Sequence, residues 1–396
     1  MNKKIIIFVL LFVITIYLSG CGSNKKNNSN KESSEDNVGL LSYSDIFTER
    51  DLKQEADTNS NYTYIVSDNE DINITSEGTY VINGSSKSTT IYIDVTNDEK
   101  VQLVLDNLTI QNDNTPCIYA KNADKVFITI VGNNNLSVTN EFSSNVDAVI
   151  FSKDDLVING TGTLNIESKN NGITSKDDLK ITGGNINITS ENDALEANNS
   201  ICIADGNITI NSKKDGIHSE YSEDDSLGYV YIGGGNINIT ANDDAIHATT
   251  IIQIDDGDIN LNAHEGLEAT YTQINGGSIN ITATDDGINA ANKSSSYSAT
   301  VEINGGYTKI NMGQGDTDAI DSNGTIIING GTINITANSP FDYDKEAKYT
   351  GGTIIVNGVE TTTITNQMMG GNMEGPGQNF ERGFESNQRN QGPRMR

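Results

Sequence analysis

Asp243 and Asp244 stand side by side just before Ala245-Ile246, and Asp285 and Asp286 stand just before Gly287-Ile288. The same local pattern, an acid followed by a small residue and an aliphatic one, recurs at Asp147, Asp193, Asp215, Glu265 and Asp318. Asn171 takes the acid's place once. The steps between these anchors are 24, 22, 22, 29, 21, 21 and 32 residues. A fixed period of this kind is the mark of a stacked repeat, in which equivalent residues become neighbours. Two carboxylates stacked at a strand spacing of about 4.8 Å repel by roughly 3 kcal/mol at an effective dielectric of about 20. Such a ladder must be protonated, hydrated or bridged by a cation. Calcium suits the last role, because it takes six to eight oxygen ligands in irregular geometry.

More acids lie around the anchors. Three residues on, the row reads Glu196, His218, His247, Glu268, Asn289 and Asp321. The candidate calcium ligands are therefore Asp193, Glu196, Asp215, Asp243, Asp244, Glu265, Glu268, Asp285, Asp286, Asp318 and Asp321. The competing role for any anchor is structural, since Asp and Asn in turns commonly accept hydrogen bonds from nearby backbone amides. Strict alternation would also turn the anchor toward the buried side. His218 and His247 do not have zinc spacing and are expected as solvated ladder positions.

The elements that position these acids follow from the rest of the repeat. Each period of about 21–22 residues holds three short alternating pieces, such as "VYI", "INI" and "AIHA". Alternation with β-branched residues predicts half-buried strands. Glycine pairs such as Gly234-Gly235 and Gly276-Gly277 mark the turns between them. Three strands per period without helical periodicity predict an all-β fold, one coil of a parallel β-helix per repeat. A leucine-rich repeat would need a helical or Leu-dominated half, and a propeller would need longer repeats. Longer steps carry insertions, "EYSEDDSLGY" and "NKSSSYS".

Charge narrows the partners. Lys and Arg total 25 against 54 Asp and Glu, a net charge of -29. Nucleic acid is excluded as a partner, because phosphate binding needs clustered cations. The chain has no Trp, so any stacking platform must use Tyr. Tyr221, Tyr229, Tyr271 and Tyr297 lie in or near insertions and are the candidate sugar contacts, with loop packing as their alternative role. Cys117 and Cys202 are too far apart in the stack to be expected to bridge.

The ends differ from the repeat. Lys3 and Lys4 precede an apolar run from Ile5 to Leu18, and Leu18-Ser19-Gly20-Cys21 follows. That layout is a secretory leader. Its junction resembles the bacterial lipoprotein processing box, which implies cleavage after residue 20, lipidation of Cys21, and anchoring on the outer face of the cell membrane. The expected organisation is a leader at 1–20, a polar tether and N-terminal segment at 21–60, the β-helix at 61–365, and a Gly/Asn/Gln/Met-rich disordered tail at 366–396.

"GGNINITSENDALEA", "GGNINITANDDAIHA" and "GGSINITATDDGINA", together with the leader and the tail, resemble the bacterial carbohydrate-binding β-helix lipoproteins of clostridial type. The resemblance implies a right-handed helix of the pectate-lyase superfold, calcium on the coils, and binding of acidic pectin-type chains and cellulose. An enzyme is the alternative. Arg-based pectate lyases do not match, since Arg50 and the tail hold all five arginines. The Gly-His-Gly and Arg-Ile-Lys motifs of polygalacturonases are absent too. A calcium-dependent lyase with a Lys base remains open, with Lys176, Lys213 and Lys214 as candidates. A third class is a structural envelope or adhesin repeat that binds nothing. The oligomeric state is left open.

Overall fold

The computed structural model describes residues 40–55, 62–313 and 317–366. The leader, Cys21, the tether up to residue 39 and the tail from residue 367 lie outside the described residues. Among the described residues, no helix is long and apolar enough to cross a membrane.

The described chain is all-β, built on two long sheets of 24 and 12 strands. The larger sheet contains two ladders, so each repeat contributes three strands. One repeat gives Tyr229–Ile232, Asn236–Thr240 and Asp244–Ala248. Each of these pairs in parallel with its equivalent in the next repeat: Val230 with Ile252, Ile237 with Ile259, and Asp244 with Glu265. This is a β-helix-like, solenoid-type stacking, in which every neighbour comes from the previous or the following coil.

Alternation sets what lies inside. Ile186, Ile208, Ile237, Ile259 and Ile279 form one fully buried column, and Ile188, Ile210, Ile239, Leu261 and Ile281 form the next. Burying each such side chain is worth about 1.5–3 kcal/mol. A coil alone would leave its column open on both sides, so stability depends on neighbours. The C-terminal end breaks the parallel order. Thr353–Val356 pairs antiparallel with Val359–Thr361 across Asn357-Gly358, both with positive φ (52° and 79°). This is the two-residue hairpin that Asn-Gly favours, and it blunts the last open edge.

The small residue after each anchor has a steric cause. A Cβ on Gly287 would lie 2.5 Å from the Ala319 carbonyl oxygen of the next coil and 2.5 Å from Ile310 Cγ2. Neither neighbour is a flexible side-chain tip that could swing away. Replacing Gly287 by Val should therefore cost about 1–3 kcal/mol, seen as a lower melting temperature by calorimetry. An unchanged melting temperature would show that the coil spacing yields freely. Gly277 answers to backbone geometry instead: its φ is +81° at the turn between the first and second strands.

Residues 40–55, which belong to the N-terminal segment of the sequence reading, cross the outer face of the first ladder as a strap. Gln253 binds the Leu41 backbone in both directions, at 2.7 and 2.9 Å. The Gln54 amide donates to Thr182 O at 2.8 Å and accepts from Gly160 N–H at 2.9 Å. Between them a helical turn, Tyr43–Ile46, places Ile46 and Phe47 against Cys202, Ala204 and Tyr231. Asp51 is buried beneath, paired with Lys180 at 3.4 Å and Lys125 at 3.8 Å. Cys117 and Cys202 are both free and buried, and burial pushes each thiol up to about 12.

Candidate functional site

The third ladder carries the acids, and its hydrogen bonds show what the anchors do. Asp193 Oδ1 accepts the backbone N–H of Asp215 at 3.0 Å, and Asp215 Oδ1 accepts that of Asp244 at 3.1 Å. Asp286 Oδ1 accepts the N–H of Asp318 at 3.3 Å, and Asn171 Oδ1 accepts that of Asp193 at 3.2 Å. In each of these steps the anchor binds the anchor amide of the following coil. One oxygen of the carboxylate is thus structural. The other is left for the row three residues on, and that row divides the stripe into two unlike halves.

The first half supplies its own cations. His218 Nδ1 lies 2.8 Å from Asp215 Oδ2 and 3.5 Å from Asp193 Oδ2, and its Nε2 lies 3.2 Å from Glu220. His247 Nδ1 lies 2.9 Å from Asp244 Oδ2 and 3.1 Å from Glu268 Oε2. The two rings stack at 4.7 Å. Burial alone would lower their pKa values, but bonds to the flanking carboxylates outweigh it and raise His218 to about 10 and His247 to about 9. Both rings therefore carry a proton at neutral pH. The expectation of solvated histidines is corrected here: their side chains are 14% and 12% exposed, and they serve as buried counter-ions. Asp193 is held below the usual carboxylate range despite its burial, by His218 and Lys214. Glu268 is depressed in the same way, against its burial, by His247 and by Lys293 at 2.9 Å.

Glu196 is also committed. It accepts from Asn171 Nδ2 at 2.7 Å, Thr174 Oγ1 at 2.8 Å and Lys176 Nζ at 3.1 Å. Asp243 is exposed on the rim of this half.

The second half has no comparable cations. Burial raises Glu265 to about 8, helped by Glu268 and Asp244 and opposed by a bond from Asn289. Burial raises Asp286 to about 7, helped by Asp321, Asp285 and Asp318. Burial raises Asp321 to about 6, with Asp342 and Asp318 adding to it. Asp285 lies at the rim beside His264, 3.8 Å away. Asn289 pairs in register with Asp321, and its buried Oδ1 has no hydrogen-bond partner. An acceptor without a donor, set among carboxylates held up by mutual repulsion, is the donor set a hard cation fits. The residues that fit are Asp286, Asn289, Asp318 and Asp321, with Glu265 and Asp342 at the ends.

Several members of this arrangement escaped the sequence reading. Lys293 comes from an insertion rather than from the repeat. Asp342 follows the degenerate anchor Ser339, which the Ser339-Asp318 bridge now places in the ladder. Asp155, Asp177 and Asp178 gather at another corner with carboxylate oxygens within 4.8 Å of one another.

The tyrosines do not share one platform. Tyr271 and Tyr297 meet edge to face at 6.3 Å, with Tyr271 bound to Glu302 at 2.8 Å. Tyr229 is two coils from Tyr271 in the same row, packed beside the strap cluster. Tyr221 lies on its insertion near Glu223. The lysines are poor bases. Lys176 is paired with Glu196, and Lys213 with Glu191. Burial works to lower the pKa of Lys214, but Asp193 and Asp215 reverse this and raise it. A proton-abstracting lysine needs the opposite shift.

The family model described as "carbohydrate-binding domain-containing protein" matches residues 68–316 and 268–370. A carbohydrate-binding domain-containing protein of Acetivibrio thermocellus is 34% identical over 195 residues, which is 47% of this chain and 65% of the relative. The match thus spans slightly under two thirds of that relative's length. Among solved structures, a polysaccharide lyase-like protein from C. thermocellum, in a gadolinium derivative, aligns with 24% identity over 75% of this chain and 94% of its own, at a TM-score of 0.35.

Proposed function

The chain belongs to the carbohydrate-binding domain-containing family, and on that premise we propose that it is an exported, lipid-anchored protein that holds acidic plant cell-wall polysaccharide through calcium. Its scaffold in this reading is a right-handed parallel β-helix of about 21–22 residues per coil, tethered to the membrane by Cys21. A polygalacturonate chain is anionic, and so is this protein. A cation held by protein carboxylates with open coordination positions reverses the local field and accepts the sugar carboxylates. Repeated weak contacts along the stack then add as avidity.

The observation that carries the reading is the contrast between the two halves of the stripe. Asp193, Asp215, Asp244 and Glu268 have histidine and lysine counter-ions within about 3 Å. Glu265, Asp286 and Asp321 lack them and are held partly protonated. The calcium site is therefore assigned to the coils from Glu265 to Asp342.

The test is migration of the full-length chain through gels containing polygalacturonate, with calcium and with chelator. Retardation in calcium should disappear in chelator. Replacing both Asp286 and Asp321 by Asn should weaken the retardation by about tenfold or more, the scale of losing a charged ligand. Retardation that ignores both chelator and the double substitution would refute the calcium reading. Release of products absorbing in the ultraviolet would show that a lyase had been missed.

A further inference from the structure

The second ladder turns a different surface outward. Its strands from Asn185–Ser190 to Ser278–Ala283 alternate buried aliphatics with outward polar residues. One outward row reads Asn187, Thr209, Asn238, Asn260, Asn280, and the row beside it reads Thr189, Asn211, Thr240, Asn262, Thr282. All are half-buried or exposed, and not one is charged. Charge returns only at the margins, with Glu167 before Thr189 and Lys309 after Asn280. In a chain of net charge -29, two uncharged rows five coils long are a departure from the composition.

The amides of the first row are fixed before any ligand arrives. Asn187 donates to Asn165 Oδ1 at 2.9 Å, Asn260 to Asn238 Oδ1 at 3.1 Å, and Asn280 to Asn260 Oδ1 at 3.2 Å. Asn238 donates to Asn236 Oδ1 at 2.7 Å. A primary amide has two N–H donors and two acceptor sites. The ladder uses one donor per amide, sets the amide planes, and leaves donor and acceptor capacity facing outward. A trough of about 300 Å³ is lined by both rows from Thr209 to Thr282. Its polar groups repeat at about 4.8 Å between coils and about 6.6 Å along a strand.

We propose that this Asn/Thr face is a second glycan-binding surface, one that docks an uncharged polysaccharide lengthwise without a metal. Charge selects the occupant. A polyanion finds no cation here and meets the repulsion of the whole molecule. A protein partner would look for aromatic or Arg anchors, and these rows contain none. Hydroxyl groups both donate and accept, which matches the groups the amide ladder leaves open. The proposal rests on the carbohydrate-binding family but not on calcium, so the two faces stand or fall separately.

The test uses the full-length chain, pelleted with insoluble cellulose as the uncharged probe and retarded by polygalacturonate as the charged one. Each is run in calcium and in chelator. Cellulose retention should persist in chelator. Thr240→Lys combined with Thr282→Lys, two coils apart on the exposed row, should weaken it by about tenfold through loss of several contacts at once. Melting temperature and calcium-dependent polygalacturonate retention should not change. Asn211→Ala with Asn262→Ala shortens the same row without adding charge and should weaken cellulose retention in the same direction. The proposal is overturned if the native chain ignores cellulose, if chelator abolishes retention, or if both pairs of substitutions leave it intact. Ice shaping in the absence of glycan retention would overturn it too. Loss of polygalacturonate binding alone would sink only the calcium reading.

Discussion

In chelator, the melting temperature should fall as pH rises from about 4.5 to about 10, in two steps. The first step belongs to Glu265, Asp286 and Asp321, raised to about 8, about 7 and about 6 from 4.5, 3.8 and 3.8. For these groups the native state keeps protons that the unfolded chain has released. Their stabilising contribution is complete below the unfolded values and is lost as pH passes through the folded ones. The second step belongs to His218 and His247, raised to about 10 and about 9 from 6.5. Their contribution is complete below 6.5 and is lost through 9–10. The depressed carboxylates Asp193 and Glu268 act the other way, but their contribution disappears only on the acid side, below about 4. Maximal stability should therefore lie in mild acid. Each pKa unit carries about 1.4 kcal/mol, so even one unit that survives solvent screening moves the melting temperature by roughly 2 °C.

Calcium should change only the first step. It replaces the protons on the second half of the stripe, and at a hundredfold excess over its Kd it stabilises by about 2.7 kcal/mol. Because it competes with protons, the rise in melting temperature on adding calcium should grow from pH 5 to pH 8. Fluorimetric melting across the pH series, with calcium and with chelator, measures both effects. A flat profile in chelator, or a calcium shift equal at pH 5 and pH 8, would mean that these carboxyls are not the ligands.

The stacking was legible because two separate constraints were written into every repeat. Ile at alternate positions marked the core columns. The small residue after each anchor marked a close approach to the next coil, which Gly287 shows in atomic terms. The direction of the anchor side chains was not legible. Alternation pointed them inward, while one carboxylate oxygen in fact reaches along the stack to the next anchor amide. That contact joins residues 22 or 29 positions apart, and no local pattern announces it. The charge state of the stripe was hidden for a similar reason. His218 and His247 become neighbours only after the insertion at Tyr221 is looped out, and Lys293 reaches Glu268 from a different insertion. The strap from residue 40 has no repeat of its own to betray it. The Asn/Thr rows were visible throughout, but Asn and Thr at outward positions look like ordinary solvated strand residues until the amide ladder is seen.

Replacing His247 by Gln should cost about 3 kcal/mol at pH 7, the scale of leaving a buried charge without its partner. The protonated ring sits between Asp244 Oδ2 at 2.9 Å and Glu268 Oε2 at 3.1 Å, and its side chain is only 12% exposed. Glutamine keeps much of the size and one donor but removes the charge. Lys293, more exposed at 30%, also binds Glu268, and its replacement by Gln should cost under about 1 kcal/mol. The pH dependence separates charge from packing. Above about pH 10 the native His247 has itself lost its proton, so the gap between native and His247→Gln chains should close. A gap that persists there would show that the ring acts by shape. The same substitution also tests why the two halves of the stripe differ. If histidine occupies the place a metal ion takes further along, removing its charge leaves Asp244 and Glu268 as an uncompensated oxygen pair beside a new amide oxygen. Calcium should then restore the lost stability, and titration calorimetry should count one more ion than in the native chain. Destabilisation without calcium rescue would confine the histidines to folding and leave the metal assignment to the second half alone.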